Sequence, residues 1–209
     1  MRIIAGEHRG RKLAVPPGLS TRPMLDRVRE ALFSTLGPGI DGAYCLDLFA
    51  GSGSLGLEAL SRGAAYARFV EMSPQVVSII EANVNEMDLG DRAKVICASA
   101  TNQNHWSAPE GEPDRWADVI LFDPPYPWLR DDRRRELFEA VNFLAAKVLR
   151  PGGLLVFHTP RRGVKETDFP AHLDADQRVY GTSALWYIRG EEDSQEEVEE
   201  VEDKEEEGA

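Results

Sequence analysis

The chain has 209 residues, 42% of them hydrophobic, and a formal net charge of −12, enough apolar content for one sizeable core and an appendage. No run approaches the roughly eighteen apolar residues of a membrane span, and the opening MRIIAGEHRGRKL lacks the apolar stretch of a signal peptide, so a cytoplasmic protein with no membrane partner is expected. The charge is unevenly placed: residues 191–209 hold twelve acids and one lysine, hence −11 of the total, and leave the other 190 residues nearly neutral.

Residues 1–36 carry seven Arg or Lys against three acids. Their short β-like runs flank a HRGRK loop and precede MLDRVREALFSTL, whose Leu25, Val28, Leu32 and Leu36 share a helical face. A β-hairpin and one helix are expected there. From Tyr44 the chain alternates β-rich and helical stretches: YCLDLF, LGLEALSRGA, YARFVEM, SPQVVSIIEANVNEMDL and AKVICAS. The alternation resumes with ADVILFD, a helical stretch over 130–149, the turn RPGG and the strand LLVFHT, and it closes on a hairpin of DQRVY and ALWYIRG. SAPEGEPDRW reads as a polar surface loop. Such alternation predicts a parallel α/β sheet covered by helices on both faces, with ligands at the carboxyl ends of the strands. Three parts are expected: an extension over 1–36, the α/β unit over 37–190, and a disordered acidic tail over 191–209. Cys45 and Cys97 each lie in an apolar run and read as reduced core residues.

LDLFAGSGSLGLEAL sets Gly51, Gly53 and Gly56 in GxGxxG spacing between the first strand and a helix, where a backbone can approach a nucleotide-like cofactor. Glu71, at the end of the second strand, is placed to accept the hydroxyls of a ribose. These features suit a dinucleotide and S-adenosylmethionine alike. Asp47, an acid inside an apolar strand near the loop, favours a cofactor with an ammonium and a sulfonium, and the chain has no second large domain for a dehydrogenase substrate. Methyl transfer therefore leads over an NAD oxidoreductase.

VILFDPPYPW is the fourth strand and the loop leaving it, on the same edge as the glycine loop. Two prolines fix the local backbone and remove two amide hydrogens, so the Asp123 carboxylate and the Pro124 carbonyl form a rigid, acceptor-rich ledge. A planar amino group fits it, with Tyr126 stacking on the attached ring. An exocyclic base amine is a poor nucleophile, so catalysis there rests on positioning and on hydrogen bonds that favour developing positive charge. Trp128 reads equally as a core cap or a substrate contact. His105, His158 and His172 lack metal-ligand spacing, and no metal is expected.

With LDLFAGSGSLGLEALSRGA, FVEMSP and FDPPY in order behind RIIAGEHRGRKL and RPMLDRVREALFSTL, the chain resembles the bacterial 16S ribosomal RNA guanine-N2 methyltransferase family from Met1 to about Gly190. The resemblance implies a Rossmann-like class I methyltransferase with a seven-stranded, mostly parallel sheet, and S-adenosylmethionine as donor. The implied acceptor is one guanine of 16S ribosomal RNA, in an assembling small subunit, with the enzyme a monomer. Catalysis then falls to Asp123, Pro124, Pro125 and Tyr126, and cofactor binding to Asp47, Phe49, Gly51, Gly53, Gly56, Glu71, Met72, Ser99, Ala100 and Asp123. In this light His8, Arg9, Arg11, Lys12, Arg22, Arg27 and Arg29 are candidate RNA phosphate contacts. Two positions depart from the family pattern: Met24, usually threonine, and Ser99, usually Asp or Asn at the cofactor's adenine. DPPY alone is shared with DNA amino-methyltransferases, so a DNA or other RNA base-amino methyltransferase is an alternative, and a non-enzymatic RNA-binding ribosome assembly factor with a vestigial cofactor fold is a further one.

Overall fold

The structure, a computed structural model, describes residues 1–16 and 24–190. Arg22 and the acidic tail over 191–209 lie outside the described residues. Seven strands form one sheet: β1 (Tyr44–Leu48), β2 (Tyr66–Glu71), β3 (Ala93–Cys97), β4 (Ala117–Phe122), β5 (Leu149–Pro160), β6 (Ala175–Tyr180) and β7 (Ser183–Arg189). Their order is β3-β2-β1-β4-β5-β7-β6. The first five are parallel; β7 runs antiparallel to β5, and β6 to β7, as the expected terminal hairpin. Among the described residues four α-helices accompany them: α1 (Asp26–Leu36), α2 (Ser54–Ser61), α3 (Pro74–Glu86) and α4 (Arg134–Lys147).

Alternation along the strands sorts the core into two layers, because successive side chains point to opposite faces. Leu46, Leu48, Ile120, Phe122, Leu155 and Phe157 pack against Leu137, Val141 and Leu144 of α4. Cys45, Phe69, Val119, Leu121, Val156 and Leu185 pack on the other face against α1, α2 and α3. Both faces are covered, so the central strands read as continuous apolar runs rather than alternating ones. The RPGG turn lies within β5: Ala117 pairs with Leu149 but Val119 with Leu154, a register shift that loops out the intervening residues. SAPEGEPDRW is a surface loop except at its end, where Trp116 is fully buried and its indole N–H donates to the Trp106 carbonyl at 2.8 Å.

The N-terminal hairpin is a narrow loop closed by one antiparallel bridge, Arg2 to Lys12, rather than two regular strands. The reason lies in Glu58 of α2, which is fully buried and takes the Ile4 and Ala5 amides at 2.8 and 3.0 Å, replacing ladder partners. Ile3, Leu13 and Met24 join the core layer that holds α1. In α1 the buried residues are Val28, Arg29, Leu32 and Phe33, while Leu25 precedes the helix and is exposed, so the expected face is rotated by about one position. Cys97 is exposed, contrary to its reading as a core residue: β3 is an edge strand, paired on one side only, by β2.

Candidate active site

Chain order places β1 and β4 side by side with their continuations leaving to opposite flanks of the sheet, the switch point at which open α/β sheets leave a crevice. The loops after β1 and β4 face each other there across a cavity of about 700 Å³. Of the expected residues, Phe49, Gly51, Glu71, Met72, Ala100, Asp123, Pro124, Pro125, Tyr126 and Trp128 line it, joined by Met24, Ser52 and His158. Asp47, Gly53, Gly56 and Ser99 lie outside the lining.

The glycine loop turns sharply on leaving β1. Phe49, Gly51 and Gly53 all have positive φ, at 60°, 54° and 75°, a region open to glycine without steric cost. Phe49 accepts it while edge-packed on Phe122 and Trp128 at 5.3 and 5.2 Å between ring centroids. Gly56 acts differently: a Cβ there would sit 2.3 Å from the Phe69 ring, so its absence lets α2 settle onto β2. Beneath the loop, Asp47 is buried and accepts the Gly56 amide at 2.9 Å. Burial pushes its carboxyl well above the usual range. It thus braces the start of α2 from below rather than facing the cavity.

Glu71 ties the loops after β1 and β2 together, one oxygen accepting the Gly51 amide and the other the Ser73 amide, both at 3.0 Å. Each carboxylate oxygen keeps a further lone pair for a ligand hydroxyl. Ser99 is half-buried, and its hydroxyl pairs with that of Thr101 at 2.9 Å, while the neighbouring Ala100 meets the cavity. Positive-φ glycines, a carboxylate with spare acceptor capacity and an apolar wall of Leu55, Val76 and Trp128 fit S-adenosylmethionine, whose ribose hydroxyls need an acceptor and whose adenine ring and aliphatic carbons need apolar cover.

Across the cavity the Asp123 amide donates to the Leu48 carbonyl at 3.3 Å, tying the ledge to β1. The Asp123 carboxylate lies 2.7 Å from Nδ1 of His158, and the Tyr126 hydroxyl lies 3.1 Å from Nε2 of the same ring and 3.2 Å from the Ser183 hydroxyl. Burial raises the Tyr126 pKa, the Ser183 hydrogen bond opposes the rise and the Asp123 charge adds to it. Sequence reasoning passed over His158 because its partners are 32 and 35 residues away; its one visible sign is a lone polar ring ending the apolar run LLVF. Trp128 lines the cavity and packs on Phe49, with the Arg133 guanidinium 4.0 Å above its ring.

The candidate phosphate contacts do not form one patch. The tip of the N-terminal loop is fixed to the end of α2, where Ser61 accepts the Glu7 amide through its carbonyl at 2.7 Å and the His8 amide through its hydroxyl at 3.0 Å. That is about 10 Å along α2 from the glycine loop, at ~1.5 Å per residue. Arg9 and Lys12 are exposed, whereas Arg11 bonds the Glu86 carbonyl. Arg27 lies apart from them, against the β6–β7 turn at Gly181, two residues from Ser183. Arg29 is fully buried, donating to the Arg2 carbonyl at 2.6 Å and to Asp26 at 3.1 Å beside Glu58, and cannot reach a phosphate. Desolvation lowers its pKa, and the Glu58 and Asp26 charges oppose that.

Among the described residues no helix is long and apolar enough to cross a membrane, and no group of three or more His, Cys, Asp or Glu is arranged to hold a metal. The family described as conserved hypothetical protein 95 matches residues 1–189. Ribosomal RNA small subunit methyltransferase D of Escherichia coli strain K12 is 44% identical over 144 residues, covering 69% of this chain and 66% of that relative, just under two thirds of its length. The solved structure of yhhF from Escherichia coli superposes with a TM-score of 0.75 at 36% identity, covering 92% of this chain and 99% of that one. An RNA methyltransferase from Salinibacter ruber in complex with S-adenosyl-L-homocysteine shares the fold at 17% identity and a TM-score of 0.55, covering 86% of this chain and 100% of that one.

Proposed function

Since the chain belongs to the conserved hypothetical protein 95 family, a family of S-adenosylmethionine-dependent ribosomal RNA methyltransferases, we propose that it methylates the exocyclic N2 amine of a guanine in 16S ribosomal RNA. In this reading the acceptor is small-subunit RNA in the cytoplasm, the enzyme acts as a monomer, and residues 37–190 form the catalytic unit behind an RNA-contacting extension over 1–36. Arg9, Lys12 and Arg27 are exposed and available to phosphates. The observation that carries the reading is the Asp123–Pro124 ledge lining the same cavity as Gly51 and Glu71.

Glu71 would hold the ribose hydroxyls, and Phe49, Met72 and Ala100, which line the same cavity, would enclose the adenosine. When bound, S-adenosylmethionine would supply an electrophilic methyl carbon, the C–S electron pair staying on sulfur as the amine nitrogen takes the methyl. Asp123 and the Pro124 carbonyl accept the two amine hydrogens and aim the nitrogen lone pair at that carbon. As positive charge grows on the nitrogen, both acceptors bind more strongly than in the ground state, which is what lowers the barrier. The extra proton then leaves to Asp123 or to water. Tyr126 offers its ring face to the base.

Mass spectrometry of small-subunit RNA from a strain lacking the gene tests the proposal: one N2-methylguanine should disappear and return on complementation. Fully methylated RNA in the deletion strain refutes it. Incubation of the protein with labelled donor and either RNA or DNA separates it from a DNA amino-methyltransferase, with label expected in RNA alone.

A further inference from the structure

We propose that His158 is a positioning residue for the transfer, setting the Asp123 carboxylate so that its second oxygen faces the acceptor amine. The inference rests on the methyl-transfer reading and adds to it a residue on β5, outside the DPPY loop.

The need arises from the ledge itself. An aspartate in a loop commonly fixes its side chain by accepting the backbone N–H two residues on. After Asp123 come Pro124 and Pro125, neither of which has an N–H, and the Asp123 amide is spent on the Leu48 carbonyl. The prolines that make the backbone rigid therefore leave the carboxylate without a local donor. A freely turning carboxylate would present an oxygen to the amine only part of the time, and its rotation would have to be frozen in the transition state.

His158 supplies the missing donor from the neighbouring strand. Its side chain is 5% exposed, and Asp123 is 26% exposed. A carboxylate only accepts, so the proton of the 2.7 Å contact belongs to Nδ1 of the imidazole. In the neutral ring Nε2 then accepts, and the partner within reach is the Tyr126 O–H at 3.1 Å. The Tyr126 oxygen in turn accepts from the Ser183 hydroxyl at 3.2 Å. Every donor in this row meets an acceptor, so one tautomer satisfies all four groups. One ring thereby fixes the acceptor for the amine and the aromatic plane on which the base would lie. β5 is held on both sides, by β4 and β7, which makes His158 a firmer mount than any residue of the loop.

Three substitutions separate the parts, because asparagine places its amide where Nδ1 stands and glutamine reaches to Nε2. Single-turnover methylation of small-subunit RNA is measured for the wild-type chain, His158→Phe, His158→Asn and His158→Gln. S-adenosylhomocysteine affinity by calorimetry and the thermal midpoint are measured alongside. His158→Phe is expected to lose about 100-fold in the transfer rate, the scale of a roughly 1 Å misplacement, with cofactor affinity within threefold of wild type. His158→Asn should recover at least tenfold of that loss and His158→Gln less. A Phe variant that transfers within threefold of wild type, or an Asn variant no better than Phe, overturns the positioning role and leaves the methyltransferase reading standing. A wild-type chain that binds the cofactor and methylates no RNA overturns both.

Discussion

Replacing Glu71 with glutamine removes one charge and turns one acceptor oxygen into a donor, at a site where both oxygens already serve backbone amides. In the structure Oε2 takes the Gly51 N–H and Oε1 the Ser73 N–H, each at 3.0 Å. A glutamine can satisfy only one of these and sets its NH2 against the other, while a ribose hydroxyl loses a charged acceptor. A hydrogen bond to a charged group contributes about 1.5–3 kcal/mol, so one such loss weakens binding by roughly 10- to 150-fold at ~1.4 kcal/mol per decade. On the proposed binding mode Glu71→Ala forfeits both hydroxyl contacts, and its loss should exceed that of glutamine without reaching the sum, because the two bonds share one side chain. Calorimetric titration with S-adenosylhomocysteine reads the effect, with thermal midpoints confirming that the variants are folded. A folded glutamine variant whose Kd stays within threefold of wild type would refute the assignment of Glu71 to the ribose.

Three further outcomes follow from the geometry. Gly56→Ala drives a methyl to 2.3 Å from the Phe69 ring and should cost about 1–3 kcal/mol as overpacking, read as a lower urea midpoint at unchanged slope; an unaltered midpoint would mean α2 can slide. Glu58→Gln weakens a buried cluster in which Arg29, Arg62 and two backbone amides converge on one carboxylate, with an expected loss of about 3–5 kcal/mol; a loss under about 1 kcal/mol contradicts that account. Asp47→Asn keeps the acceptor for the Gly56 amide and removes a carboxyl that burial holds well above its ordinary pKa. A raised carboxyl pKa means stability is fullest below the unfolded value and falls as pH rises toward the folded one. The asparagine variant should therefore gain on wild type as pH increases from about 4, and a stability difference that does not change with pH would contradict this.

Much of the scaffold was legible because parallel strands buried on both faces leave dense apolar runs, and the glycine and DPPY loops mark the ends of two of them. The cavity-lining residues Gly51, Asp123 and Tyr126 follow those ends, and Glu71 closes β2 on the same edge of the sheet. What sequence could not supply is pairing across the sheet. Charge counting put Arg29 with the surface cations, yet it points inward to Glu58, and only α1 packing on α2 reveals that. Asp47 reads as a cofactor contact from its distance to the loop, but period-two alternation along β1 sends its carboxylate under α2. His158 is nearest to residues on another strand's loop, a relation with no local trace. The cysteines illustrate the same limit, since an apolar run says nothing of whether its strand is central, as at Cys45, or at the margin, as at Cys97.

The carboxylate of Glu58 has a broader consequence for how the chain can be handled. The Ile4 and Ala5 amides stand in for water on it, and the Arg2 carbonyl accepts from the buried Arg29 guanidinium beside it. Clipping those first residues would expose a buried carboxylate and a buried guanidinium to water beside α2, the helix that follows the glycine turn.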